Sequence, residues 1–172
     1  LAISKDFGVT WQKKGISENV SFYLDYKFDF SESDDIYYYD EFEFNSLVKY
    51  DLNSQVITPI VYNSEPDGYS LDFATSFDGS SLYILTSNWS DKKLKIQTSN
   101  DGGQTFRTDE IGIINQNQGF KLKTDHLGNI YVYSESLVLM SSEQGASWQN
   151  LTPDFTELIS INDLQISYDN YI

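Results

Sequence analysis

The sequence predicts an all-β chain of repeated four-stranded antiparallel units, and two kinds of recurring turn carry that prediction. An eight-residue pattern, Ser-x-Asp-x-Gly-x-Thr/Ser-aromatic, returns along the chain, and a second turn returns in phase with it. Between the turns lie short runs of Tyr, Phe, Ile and Val bounded by Asn, Asp, Gly and Ser, which is strand patterning, and no segment sustains a helical period.

The first copy of the pattern is Ser4-Lys5-Asp6-Phe7-Gly8-Val9-Thr10-Trp11 and the second is Ser99-Asn100-Asp101-Gly102-Gly103-Gln104-Thr105-Phe106. The third, Ser141-Ser142-Glu143-Gln144-Gly145-Ala146-Ser147-Trp148, has Glu in place of Asp. An Asp carboxylate in a tight turn accepts hydrogen bonds from nearby backbone N–H groups, and Gly supplies the positive φ that such turns need. The flanking Ser and Thr hydroxyls satisfy remaining turn groups, and Trp11, Phe106 and Trp148 are expected to pack back against their hairpins. Each copy therefore reads as a self-satisfied β-turn with a structural role.

Spacing turns these motifs into an architecture. The gap from Ser4 to Ser99 is about twice that from Ser99 to Ser141, so a degraded copy is expected inside it. Lys49-Tyr50-Asp51-Leu52-Asn53-Ser54-Gln55-Val56 fits: it keeps Asp51 and puts Asn53, a residue tolerant of the left-handed region, at the Gly position. Starts at 4, 49, 99 and 141 give a period of 42 to 50 residues, which suits one four-stranded propeller blade per repeat. The second turn precedes Ile36-Tyr37-Tyr38-Tyr39, Leu82-Tyr83-Ile84-Leu85 and Ile130-Tyr131-Val132, at Asp34-Asp35, Asp78-Gly79-Ser80-Ser81 and Asp125-His126-Leu127-Gly128-Asn129. It reads as the link between a unit's first and second strands, with the eight-residue pattern linking the third and fourth.

The pattern resembles the Asp-box, or BNR repeat, of sialidase-like β-propellers, a superfamily that includes the sortilin-type receptor domain and several glycoside hydrolases, and the resemblance spans nearly the whole chain. It implies a β-propeller of four-stranded antiparallel blades. The chain supplies about four blade equivalents, with repeat units at about 1–16, 17–61, 62–109, 110–152 and 153–172. Leu1-Ala2-Ile3 reads as a third strand and Leu164–Ile172 as a first strand, its turn and the start of a second. A fragment of a larger propeller is therefore expected in preference to a closed four-blade ring, with the remaining blades supplied by a longer chain or a partner chain.

Composition narrows the function. The 172 residues carry 26 acids against 11 bases, a net charge of −15, which argues against nucleic acid and anionic membrane surfaces as partners. No apolar run is long enough to span a bilayer, so membrane insertion is not expected. Glu32, Asp34, Asp35, Asp40, Glu41 and Glu43 are dense enough to suit Ca²⁺, but they alternate with apolar residues as the solvent face of strands does and lack EF-hand-like spacing, so no metal is expected. The absence of Cys excludes disulfides, thiol nucleophiles and Cys-ligated zinc. His126, the single His, sits in a turn and is a poor general base there. No P-loop or dinucleotide-binding glycine pattern is present, and no cofactor is expected. The sialidases that the pattern resembles grip the substrate carboxylate with three arginines; Arg107 is the only Arg here and follows a turn on an outer strand, so a self-contained sialidase is excluded.

The resemblance also implies that the two turn types share one face while the remaining loops form a ligand-binding face opposite. Those loops map to Lys13–Asn19, Tyr62–Gly68, Asp109–Gly119 and Thr152–Leu158, and to Asp40–Glu43, Ser87–Lys92 and Ser134–Ser136. Trp89 beside Asn88 and Asp91 is the foremost binding candidate, since an aromatic ring flanked by amide and carboxylate suits a sugar or a protein hot spot. Tyr62, Glu65, Asp40, Glu41 and Asn117 follow, and no catalytic residue is singled out. The expected function is a non-catalytic recognition or scaffold module that binds a protein or glycan. The alternatives are a fragment of an Asp-box glycoside hydrolase and a structural segment of a larger surface or secretion assembly. Sequons at Asn19, Asn88 and Asn150 are about as frequent as chance gives, and an extracellular or lumenal location is expected from the resemblance alone.

Overall fold

The computed structural model describes residues 2–4, 8–13, 27–40, 46–62, 68–88, 90, 92–113, 119–154 and 160–166. Fourteen strands occur among them: β1 (Ala2–Ile3), β2 (Gln12–Lys13), β3 (Phe28–Phe30), β4 (Asp35–Asp40), β5 (Ser46–Asp51), β6 (Ile57–Pro59), β7 (Gly68–Thr75), β8 (Leu82–Asn88), β9 (Lys93–Ser99), β10 (Arg107–Ile113), β11 (Lys121–Thr124), β12 (Ile130–Ser134), β13 (Leu137–Ser141) and β14 (Gln149–Asn150). They form three four-stranded sheets, β3-β4-β5-β6, β7-β8-β9-β10 and β11-β12-β13-β14, each wound in chain order, and the two-stranded β1-β2. Every pairing with a defined register is antiparallel, and no helix occurs among the described residues. The all-β class and the four-stranded unit expected from the repeats are both present.

The chain divides into two compact units, Leu1–Asp29 with Asp34–Ile60, and Phe30–Ser33 with Val61–Ile172. The core of the first is Ile36, Tyr38, Val48, Tyr50 and Leu52, joined by Phe28 and Ile57. In the second, Ala74, Tyr83, Leu85, Leu94 and Ile96 of one sheet meet Phe120, Leu122, Ile130 and Val132. The other side of β12 presents Tyr131 and Tyr133 to Val138 and Leu164. Strand period 2 thus sends alternate residues of β12 into two apolar clusters, which explains why all of Ile130–Ser134 is buried and why a central strand reads as a continuous apolar run. Outer strands are wetter: both residues of β14 are exposed.

Two expectations are corrected. The acids near residue 35 do not all face solvent: Asp35 is buried, and its carboxylate pairs with the Lys49 ammonium across β4 and β5 at 2.8 Å. An unpaired charge at that depth would be strongly disfavoured, so the cross-strand lysine is what permits it. Of the segment expected to open as a first strand at Leu164, the described residues 164–166 form no strand. Side chains hold the segment in place: Leu164 is buried beside Tyr131, Tyr133 and Val138, and the Asp163 carboxylate accepts from Lys123 Nζ and the Tyr133 hydroxyl, both at 3.0 Å. Ile161 N–H donates to the Glu135 carbonyl at 2.8 Å, but one such bond does not make the continuous ladder by which strands satisfy their backbone. Residues 167–172 lie outside the described residues.

Candidate functional site

The three turns formed by the eight-residue pattern share one construction. The residue before each eight-residue pattern pairs with the residue after it, as Ile3↔Gln12, Thr98↔Arg107 and Met140↔Gln149. In each, the leading Ser hydroxyl accepts the N–H of the Gly four residues on: Ser4 from Gly8 at 2.6 Å, Ser99 from Gly103 at 2.8 Å and Ser141 from Gly145 at 2.9 Å. Those glycines have φ of 87°, 90° and 88°. The Trp11 and Trp148 indole N–H groups each donate back to the Gly carbonyl at 3.1 Å. Trp148 packs against the core of the second unit, whereas Trp11, folded back onto Gly8 of its own turn, stays largely exposed.

The acid locks the turn. Asp101 accepts from the Thr105 hydroxyl at 2.6 Å, Thr105 N–H at 2.9 Å, the Ser99 hydroxyl at 2.7 Å and Gln104 N–H at 3.0 Å. These donors, led by the Thr105 hydroxyl, hold its carboxyl down at about 2. At the third copy the longer Glu143 accepts the Ser147 hydroxyl at 2.7 Å. Asp6 lies outside the described residues, and Phe106 is half-buried. The turn at Asp51 differs from the expected degraded copy. Tyr50 pairs with Ile57 and Val48 with Pro59, so the link is two residues shorter than in the full pattern. Asp51 accepts Asn53 and Ser54 N–H at 2.7 and 3.1 Å, and Gln55, not Asn53, takes the left-handed conformation at φ 61°.

A pH dependence follows from Asp101. Its folded pKa is depressed below the ordinary carboxyl value of about 3.9, so it adds stability above that value, and the contribution is lost as pH falls through about 2. Asp101→Ala is expected to melt below the parent at neutral pH, with the difference in Tm closing between about pH 4 and pH 2. Parallel melts at pH 7, 4 and 2 check this, and a difference independent of pH would refute it.

The single arginine is occupied structurally. Arg107 opens β10, the outermost strand of its sheet, where Nε donates to Asp109 at 2.6 Å and Nη2 to the Gln144 carbonyl at 3.0 Å. That carbonyl also accepts the Thr98 hydroxyl at 3.2 Å, and Gln144 Oε1 accepts Asn100 Nδ2 at 2.8 Å. The turn of the third sheet is thereby fastened onto the second.

At the opposite end of the hairpins, the β8–β9 turn is built around Asn88. Its carboxamide oxygen accepts Ser90 N–H at 2.8 Å and the Ser90 hydroxyl at 2.6 Å, and its carbonyl accepts Lys92 N–H at 3.1 Å. Lys92 sits at φ 55°. Asn88, one of the binding candidates, is buried and shapes the turn. Of the other binding candidates, Tyr62 is half-buried and Asp40 ends β4 opposite Ser46. Trp89, Asp91, Glu65, Glu41 and Asn117 lie outside the described residues. Among the described residues no group of His, Asp or Glu is placed to hold a metal ion.

Sequence reasoning passed over the exposed apolar residues of the turns. In the second unit, Phe30, Phe77 and Leu127 are 53%, 58% and 65% exposed. The available signal was that an apolar residue amid Ser, Asp and Gly at a hairpin tip has no strand face on which to pack.

No family model matches the chain, and no curated protein matches it. Among solved structures it is similar to YCF48 bound to D1 peptide, at 15% identity over 83% of this chain and 45% of that one, with a TM-score of 0.53. It is also similar to the major Malassezia sympodialis allergen Mala s 1, at 11% identity over 73% of this chain and 47% of that one, with a TM-score of 0.47. The chain spans less than half the length of either structure. What the likeness to YCF48 shows is the fold: four-stranded antiparallel sheets in a propeller-like arrangement.

Proposed function

We propose that the chain is a protein-binding propeller module of the Asp-box type, in which the eight-residue turns are structural and recognition takes place at the β8–β9 loop. The observation that carries this reading is the fixed seat of that loop: a buried Asn88 oxygen holding Ser90 at both its N–H and its hydroxyl. Such a seat leaves Ser90 little ordering entropy to lose on binding. Trp89 would be the aromatic anchor and Asp91 its polar companion. The structurally similar YCF48 was solved with a peptide bound, which favours a protein partner over a glycan.

Selection of a displayed random peptide library against the immobilised chain tests this, with the Trp89→Ala chain as comparison. Peptides enriched on the parent are expected to lose about tenfold or more in affinity for Trp89→Ala. Enriched peptides that bind both chains equally, or binding confined to a parallel glycan array, would overturn the reading.

A further inference from the structure

We infer that the turn end of the second unit, opposite the β8–β9 loop, is a second recognition surface, and that it takes an extended cationic segment of a partner protein in which apolar and basic residues alternate.

The apolar side chains come from successive turns that hydrogen bonds tie together. Phe30 ends β3, and two residues later Glu32 N–H donates to the Phe77 carbonyl at 2.8 Å. Gly79 approaches so closely that an added Cβ would lie 2.7 Å from Ser31 Cβ. Phe77 and Leu127 sit at the tips of turns entered from Thr75 and Thr124, and the Thr124 hydroxyl donates to the Thr75 carbonyl at 2.5 Å. Phe30, Phe77 and Leu127 therefore stand on linked turns at one end of the second unit, and each side chain is more than half exposed. A single exposed apolar residue is ordinary, and three on turns that hydrogen bonds link offer a partner more apolar area than one does.

The backing is rigid. Asp78 accepts the Ser76 hydroxyl at 2.6 Å and Ser80 N–H at 3.0 Å. Asp125 accepts Leu127 N–H at 2.9 Å and Asn129 N–H at 2.8 Å, so the residue that presents Leu127 is itself fixed. The Ser81 hydroxyl donates to Asn100 Oδ1 at 3.0 Å, joining these turns to the Asp101 turn. A side chain held out from a backbone that cannot fold it back onto the protein keeps its apolar area available to a partner.

Charge decides the occupant. The turns 31–33, 76–81, 100–106, 125–129 and 142–148 contain no Lys or Arg, while Glu32, Asp78, Asp101 and Glu143 are exposed. Arg107, the one guanidinium of the sequence, rests on the Gln144 carbonyl of the last of these turns and is paired with Asp109. A second copy of this chain, at net charge −15, would be repelled, as would an anionic lipid surface or nucleic acid. A segment alternating apolar and basic residues complements both the apolar residues and the acids of these turns, its apolar groups supplying affinity and its charges steering and register.

The test uses the full chain and the synthetic peptide Ac-Lys-Phe-Lys-Leu-Lys-Phe-Lys-amide. Calorimetry is expected to show binding that weakens by about tenfold or more in Phe77→Ser and in Leu127→Ser, and that weakens again as salt is raised to physiological strength. Both sites are exposed, so both variants should keep the parent melting curve; should one fail to fold, amide shifts in the unaltered chain on peptide addition report the same contact, expected at Phe77–Ser80 and His126–Gly128. Trp89→Ala is expected to leave this binding unchanged. Equal affinity for a peptide with Ser in place of Phe and Leu, or with Glu in place of Lys, would overturn the inference. So would shifts or losses confined to the β8–β9 loop, a result that would favour the recognition loop proposed above instead.

Discussion

Ile96→Ala is expected to lower the stability of the chain by about 2–5 kcal/mol, the range for removing a large aliphatic side chain from a packed core. Ile96 is fully buried on β9, among Tyr83, Leu85 and Leu94 of its own sheet and Leu122, Ile130 and Val132 of the next. It is also the residue beneath Gly145, whose added Cβ would lie 2.9 Å from Ile96 Cγ2. Removing it opens a void at the place where the third sheet's turn rests on the second sheet, with backbone on one side and close-packed side chains on the other, so relaxation should be small. Urea denaturation followed by far-UV circular dichroism measures the loss. A shift below about 1 kcal/mol would mean that the two sheets are not packed as described.

Gly145→Ala should be comparably severe, at about 2–5 kcal/mol, for two separable reasons. Its φ of 88° costs an L-residue about 1–2 kcal/mol, and the 2.9 Å approach to Ile96 adds an overpacking cost of about 1–3 kcal/mol. Gly102→Ala separates the two, because Gly102 has φ 70° but open space within 4 Å of its added Cβ, so only the conformational cost remains. The double variant Ile96→Ala with Gly145→Ala sharpens the test. The new methyl can enter the space the isoleucine vacates, so the double variant should be more stable than the sum of the singles predicts, by about 1–2 kcal/mol. Additive effects would show that the clash with Ile96 is not what makes Gly145 necessary.

These variants also show how far the sequence could be read. The turns were legible because their chemistry closes locally: a Ser hydroxyl reaches the Gly N–H four residues on, and an Asp carboxylate reaches donors within the same span. A motif of that kind carries its own hydrogen-bond partners, so its appearance in the chain is nearly its structure. The strands were legible as well, since period and turn spacing together specify a four-stranded unit. Reading went astray where a short motif was stretched to fit a spacing. The Asp51 turn keeps its acid, yet without the leading Ser and the Gly nothing specifies the longer link, and the chain closes two residues sooner.

By itself, then, the sequence determined the all-β class, the repeated antiparallel unit and the self-satisfied turns, because those interactions join residues only a few positions apart. Only the tertiary structure decided that Asp35 is buried against Lys49, that Asn88 serves its own turn, that Gln144 receives Arg107 and Thr98 from the neighbouring sheet, and that Phe77 and Leu127 are each left exposed. Arg107 and Gln144 are 37 positions apart and Thr98 and Gln144 are 46, a whole repeat or nearly so. The choice of partner at that distance is made by how one sheet packs on the next, and no local pattern of residues records it.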